Sequence, residues 1–281
     1  MMLTDEQFVR TRRLALSLAG MELHERHRDL IDQRKRRLGL AEPTGYDTLL
    51  SAVESGDTAA AQHLISLLAT HFTGFFRHPQ HFLAAAAHAR SAVDRHGVAR
   101  LWCAAASTGE EPYSLAMALV EAWPDAARFV TILATDIDHR ALARGRDAIY
   151  PAAAMAELSP ERRTRFFQPT LGSDRVQVIA PIRAMVEFAA LNLAEVAWPP
   201  IGTFDVIFCR NVLMYLEACY RYAVLERMAS LLTPEGRLIL DPTEHLGKAS
   251  HLFTVAGPGL YTRRPAPAPQ RPLALPGHRS V

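Results

Sequence analysis

The chain has 281 residues, 49% of them apolar, and a formal charge of +2, so it can bury a large α/β core plus a smaller unit, and its overall field is too weak to imply nucleic acid. Asp5, Glu6, Arg10, Arg12 and Arg13 interrupt the N-terminus and no apolar run reaches transmembrane length, which argues against a signal peptide and direct membrane insertion. Cys103, Cys209 and Cys219 lack CxxC or Cys/His spacing, and the histidines show no H-x-E or H-E-x-x-H pattern, so a reducing cytoplasm without a metal site is expected.

Over residues 4–68 apolar positions recur at spacings of three and four, which predicts helices with N-caps at Thr4, at Thr44 or Asp47, and at Asp57. Within them Arg26, Arg28 and the run Arg34-Lys35-Arg36-Arg37 would set several cations on one side of a helix, as a solvated face or a docking face. Residues 101–105 form a short apolar run, 111–122 read as a helix, and 129–134 form a β-rich run that ends at Thr135-Asp136 before another helical stretch to 147. This alternation predicts a parallel sheet wound with helices. It breaks between Tyr150 and Ala180, where Pro151, Pro160 and Pro169 punctuate a small insert with a strand at 175–179. Strands at 186–191, 204–209 and 236–240, a helix at 218–232 and a closing antiparallel hairpin around Gly257-Pro258-Gly259 follow, and from Pro265 the Pro/Ala-rich tail reads as disordered. The expected organisation is a helical N-terminal domain with a bridging segment (1–85), an α/β domain (86–264) carrying a small β-subdomain insert (150–182), and a tail (265–281).

Ligands of open α/β sheets bind beyond the carboxyl ends of the strands. The first strand here leads into Ala106-Ser107-Thr108-Gly109-Glu110-Glu111-Pro112, with one glycine and two carboxylates. Carboxylates would repel the pyrophosphate that G-x-G-x-x-G cradles in dehydrogenases, and would attract a sulfonium and an ammonium. Asp136, ending the second strand, is placed to accept both hydroxyls of an adenosine ribose. Either acid alone is as ordinary as a helix cap.

Several blocks, in order, resemble the CheR family of chemotaxis receptor glutamate methyltransferases: Thr73-Gly74-Phe75-Phe76-Arg77, the stretch 101–116, Ala134-Thr135-Asp136-Ile137-Asp138, Ile149-Tyr150-Pro151, Asn192-Leu193 and Phe208-Cys209-Arg210-Asn211-Val212-Leu213-Met214-Tyr215. The resemblance implies a Rossmann-like S-adenosylmethionine-dependent methyltransferase sheet with a small β-subdomain, preceded by an all-helical N-terminal domain. It also implies cofactor contacts from Thr73, Arg77, Glu110, Asp136, Asn192, Leu193, Arg210 and Asn211, and from His71, which stands where the family usually has Asn. Glu110 would neutralise the methionyl ammonium, Asp136 hold the ribose, and Asn192 offer its amide to the adenine edge. Arg77 would steer a carboxylate, and with Tyr215 forms the expected acceptor-side catalytic pair.

The implied partner is the cytoplasmic domain of methyl-accepting chemotaxis receptors, met by a monomer. A sensor that binds S-adenosylmethionine without transferring methyl, or a methyltransferase for a different receptor array, is the alternative reading. Asp241-Pro242-Thr243-Glu244-His245 departs from the family by setting bulkier residues in a small-residue-Ser-Glu segment, and the basic helix is differently composed. The loop at 167–175 holds one glycine and a proline, which predicts that no receptor C-terminal peptide docks there by strand addition.

Overall fold

The computed structural model describes residues 2–37, 39–40, 43–70 and 72–265. His71 and positions 266–281 of the tail therefore lie outside the described residues.

Helix α1 (Asp5–Ala19) starts at Thr4 through a capping box in which Thr4 and Gln7 exchange side-chain and backbone bonds. It stops at Gly20, whose φ of +61° suits glycine and whose added Cβ would lie 2.8 Å from the Tyr220 ring. Then come α2 (Arg28–Arg37), α3 (Pro43–Glu54) and α4 (Thr58–Leu68), the last capped by Asp57. Asp47 is no cap. It lies inside α3, where its carboxylate accepts from Gln7 at 2.9 Å and Arg10 at 3.2 Å and so ties α3 to α1. Phe8, Leu14, Ile31, Tyr46, Leu50 and Leu64 form the helices' own apolar core.

Helix α5 (Pro79–His96) runs through the 85/86 boundary expected from the sequence, with Phe82, Ala85, Ala86 and Ala89 packed on the sheet. The sheet is built from β1 (Ala99–Cys103), helix α6 (Glu110–Ala122), β2 (Val130–Asp136) and helix α7 (His139–Asp147). The insert follows, with β3 (Ile149–Pro151), α8 (Pro160–Phe166), β4 (Phe167–Pro169) and β5 (Arg175–Val178), in a separate antiparallel sheet of order β3-β5-β4. Then come the short α9 (Ala180–Arg183), β6 (Val186–Ala190), β7 (Phe204–Phe208), α10 (Ala218–Leu231), β8 (Leu232–Ile239), β9 (Phe253–Gly257) and β10 (Leu260–Arg263).

The main sheet has the order β6-β2-β1-β7-β8-β10-β9, in which β10 alone runs opposite to the others and so pairs antiparallel with both β8 and β9. Leu101, Cys103, Val206 and Phe208 face one apolar cluster, while Trp102, Ala104, Ile207 and Cys209 face the other. Both faces are covered, which is why these strands carry consecutive rather than alternate apolar residues. Strand β8 begins at Leu232, four positions before the run that marks it in sequence, because Thr233–Gly236 is accommodated by a register irregularity against β7. The order of strands reverses between β1 and β7, and the loops leaving their carboxyl ends open there.

Candidate active site

A cleft opens at that reversal. Its sheet-side wall comprises Ala104, Ala105, Ser107, Glu111, Asp136, Ile137, Leu191, Asn192 and Leu193, and Arg210, Asn211 and Tyr215 come from the segment after β7. The N-terminal helices roof it with Met21, Leu23, His27, Leu30, Ile31 and Arg34, and the bridge between α4 and α5 adds Leu68, Phe72, Thr73 and Arg77. The roof is stitched down by backbone bonds: Glu22 N–H donates to the Tyr215 carbonyl and Glu217 N–H to the Gly20 carbonyl, each at 2.9 Å.

At the first turn, Gly109 takes a φ of +97°, and a Cβ there would meet the Tyr150 hydroxyl at 2.9 Å. Glu110 stands behind the wall rather than in it, because its carboxylate turns back to accept the Thr108 hydroxyl at 2.7 Å. Its neighbour Glu111 faces the cleft and pairs with Arg210 at 3.0 Å. Burial pushes the Glu111 carboxyl up, and Arg210 and the Cys103 thiol partly offset this. Asp136 accepts the Ser107 and Asp138 amides at 2.8 and 2.9 Å, one on each carboxylate oxygen.

Three expected contacts are already engaged within the protein. Asn192 donates to the Leu18 carbonyl at 2.7 Å and accepts from the Ala194 amide at 3.0 Å, so its side chain chiefly joins the exit of β6 to α1. Arg210 gives its second terminal nitrogen to the Arg77 carbonyl at 2.7 Å and, with its side chain 2% exposed, acts as a strut beneath the cleft. Leu193 is buried behind the wall it helps to line. Thr73, Arg77, Asn211 and Tyr215 are half-buried at the cleft, and Asp136 is buried in its wall.

Two carboxylates were not anticipated. Glu244 receives the Asn211, Val212 and Leu213 amides at 2.9, 3.0 and 2.9 Å and fixes the loop after β7, where Asn211 adopts a φ of +59°. Asp241 lies 3.8 Å from the Arg77 guanidinium and 3.3 Å from the His78 ring. The basic helix is also largely internal: Arg34 donates to the Leu67, Leu68 and Ala69 carbonyls, Lys35 is 2% exposed beside Asp32, and Arg36 pairs with Asp32 at 2.9 Å. Arg26, Arg37 and, although paired with Asp32, Arg36 are the cations of that group left exposed.

The donor set suits S-adenosylmethionine. Carboxylates line or back the wall that would face a sulfonium and an ammonium, small residues floor it, and the first turn offers no glycine-rich phosphate cradle. Fold and cleft together define an S-adenosylmethionine-dependent methyltransferase. A family model described as "CheR methyltransferase, SAM binding domain" matches residues 71–259. Chemotaxis protein methyltransferase 2 of Pseudomonas aeruginosa is 36% identical over 262 residues, covering 92% of this chain and 93% of its own length. The chemotaxis protein methyltransferase of Escherichia coli is 36% identical over 263 residues, covering 92% and 91%. Among solved structures, the CcbJ methyltransferase from Streptomyces caelestis is similar at a TM-score of 0.34 and 16% identity, over 62% of this chain and 58% of that one. The chain belongs to the CheR methyltransferase family.

Proposed function

We propose that this chain transfers the methyl group of S-adenosylmethionine to glutamate side chains in the cytoplasmic domain of chemotaxis receptors, and that it acts as a cytoplasmic monomer. The observation that carries the reading is the convergence of Asp136, Asn211, Arg77 and Tyr215 on one roofed cleft at the strand reversal. The chemotaxis methyltransferases it resembles along nearly their whole length support the choice of acceptor.

When bound, S-adenosylmethionine supplies a methyl group activated by its sulfonium. Asp136, held in the cleft wall by the Ser107 and Asp138 amides, would accept the ribose hydroxyls. Thr73, Asn211, Asn192 and Leu193 hold the nucleoside portion, with Asn192 acting mainly through its grip on Leu18. Glu110 contributes negative charge near the methionyl ammonium from behind the wall, Glu111 and Arg210 brace the floor, and His71 is assigned to the same contact set by its place in the motif. The acceptor glutamate has an ordinary pKa of about 4.3 and arrives ionised, so no general base is needed. Arg77 and Tyr215 orient that carboxylate, and the α2 roof excludes water, so the rate arises from alignment.

The test is to incubate the purified chain with S-adenosylmethionine and the cytoplasmic fragment of a receptor from the same organism, then read peptide masses. One methyl group gained per modified glutamate, lost again in mild alkali, is the expected result. Tight binding of S-adenosylhomocysteine without methyl gain on any receptor fragment would replace transfer by sensing.

A further inference from the structure

Arg77 sits in an unusual turn. Its neighbours Phe76 and His78 both have positive φ, +54° and +61°, a conformation that non-glycine residues hold only when the surroundings enforce it. The backbone is enforced by the Phe76 amide donating to the Ser114 hydroxyl at 2.8 Å and by Arg210 donating to the Arg77 carbonyl at 2.7 Å. The side chain rests over the Phe72 ring at 5.3 Å, and Phe72 is itself 79% exposed, so that contact alone gives little restraint.

Arg77 Nη1 also donates to the Phe72 carbonyl at 3.3 Å, while Nη2 faces Asp241, just past the carboxyl end of β8 and 2% exposed. One carboxylate oxygen is occupied by the Thr243 amide at 3.1 Å and the Thr243 hydroxyl at 2.7 Å. The other accepts no hydrogen bond of full geometry among the described residues; the Asn211 side chain lies near the carboxylate, and this oxygen looks between Arg77 at 3.8 Å and His78 at 3.3 Å. At 3.8 Å the carboxylate attracts the guanidinium without taking up the Nη2 N–H groups, which stay available to a ligand while Nη1 is held by the Phe72 carbonyl.

We infer that Asp241 is a positioning residue that aims the Arg77 guanidinium into the cleft, an aspartate serving where the family resemblance expects a small residue. The inference rests on the proposed role of Arg77 toward a carboxylate. Because Asp241 also competes electrostatically with an incoming carboxylate for Arg77, its removal frees Arg77 to bind the acceptor while spoiling its aim. The signature is therefore a fall in kcat without a rise in KM for the receptor, which simple loosening of the fold would not give.

The experiment measures receptor methylation kinetics, S-adenosylhomocysteine affinity by calorimetry and thermal unfolding for the full chain and for Asp241→Asn, Asp241→Gly, Arg77→Lys and the double variant Asp241→Asn with Arg77→Lys. Thr243→Val is included because Thr243 is exposed, so it should fold even where an Asp241 variant does not, and it loosens the same carboxylate. Expected are a kcat lowered about tenfold in Asp241→Asn with an equal or lower receptor KM, the same split in weaker form in Thr243→Val, and an Asp241→Asn effect of less than about twofold once Arg77 is lysine. Full additivity with Arg77→Lys, or an unchanged kcat in both Asp241→Asn and Thr243→Val, would overturn the inference alone. A wild-type chain that neither binds the cofactor product nor methylates would overturn the functional reading and the inference with it.

Discussion

Arg34 on α2 donates to the Leu68 carbonyl at 2.8 Å, closing the C-terminal turn of α4 with a cation. The same nitrogen also reaches the Leu67 and Ala69 carbonyls, and burial lowers the guanidinium's proton affinity. Arg34→Ala is expected to cost about 2 kcal/mol and to loosen the cleft roof, read as a lower unfolding midpoint. If an acidic receptor face docks here, it would meet the exposed Arg26, Arg36 and Arg37, so Arg37→Glu is expected to slow receptor methylation, and more so at low salt, while unfolding stays at the wild-type midpoint. Equal stability of Arg34→Ala and wild type would remove the capping role.

Glu244 holds four backbone amides with two oxygens, those of Val212 and Leu213 on one and those of Asn211 and Asp241 on the other. A glutamine keeps one acceptor and turns a donor toward the other pair of N–H groups. Glu244→Gln is expected to lose about 3 kcal/mol in chemical denaturation and to bind S-adenosylhomocysteine more weakly, since the Asn211 loop is released. Retention of both properties would show that the clamp is dispensable.

Asp136→Asn is expected to weaken S-adenosylhomocysteine binding by about 2 kcal/mol, because a charge-assisted pair of ribose contacts is replaced by a neutral one. Glu110→Gln, one position behind the cleft wall, is expected to give a smaller loss in the same direction. Calorimetric titration of both variants decides the order, and wild-type affinity in Asp136→Asn would take that residue out of the site.

The Asp241 carboxyl is pushed up by burial, but the Thr243 hydroxyl and amide, the Asn211 side chain and Arg77 together bring it down to about 2 from an ordinary 3.8. Between those values the folded chain binds fewer protons than the unfolded one. Its contribution, about 2 kcal/mol, is thus complete above the window and lost as pH falls through it. Acid unfolding curves of wild type and Asp241→Asn should converge as pH drops toward 2. Parallel curves across that range would mean the carboxylate is not stabilised by folding.

In the insert, the turn between β4 and β5 is short, with Leu171 fully exposed and Pro169 on the edge strand β4. Proline there removes an N–H that an added peptide strand would need. Peptides from the last few dozen residues of receptors of the same organism are expected to show no micromolar binding in a fluorescence titration, and micromolar binding would refute this.

The strands were legible because a sheet covered on both faces demands consecutive apolar residues, as in Val206-Ile207-Phe208-Cys209, and the ends of such runs mark where ligands bind. The Thr4 and Asp57 caps were legible because capping is local. The choice between Glu110 and Glu111 was not, since it depends on Arg210, 99 positions away. Nor was the internal use of Arg34, whose acceptors lie 33 to 35 positions on. Asp47 reads as a cap by residue type, and only the packing of α1 on α3 turns it into a bridge.

The pairing of β1 with β7 also has a consequence for biosynthesis. Arg100 and Asp205 are bonded across 105 positions, and Trp102, wholly buried, packs against Trp198 and Phe204 with ring centroids 5.4 Å away in each case. A ribosome extends the chain by about 5–20 residues per second, so Trp102 emerges on the order of ten seconds before the residues that enclose it. During that interval one flank of β1 stands without its hydrogen-bonded neighbour and its indole lacks cover, an unpaired edge and apolar surface of the kind that invites mispairing.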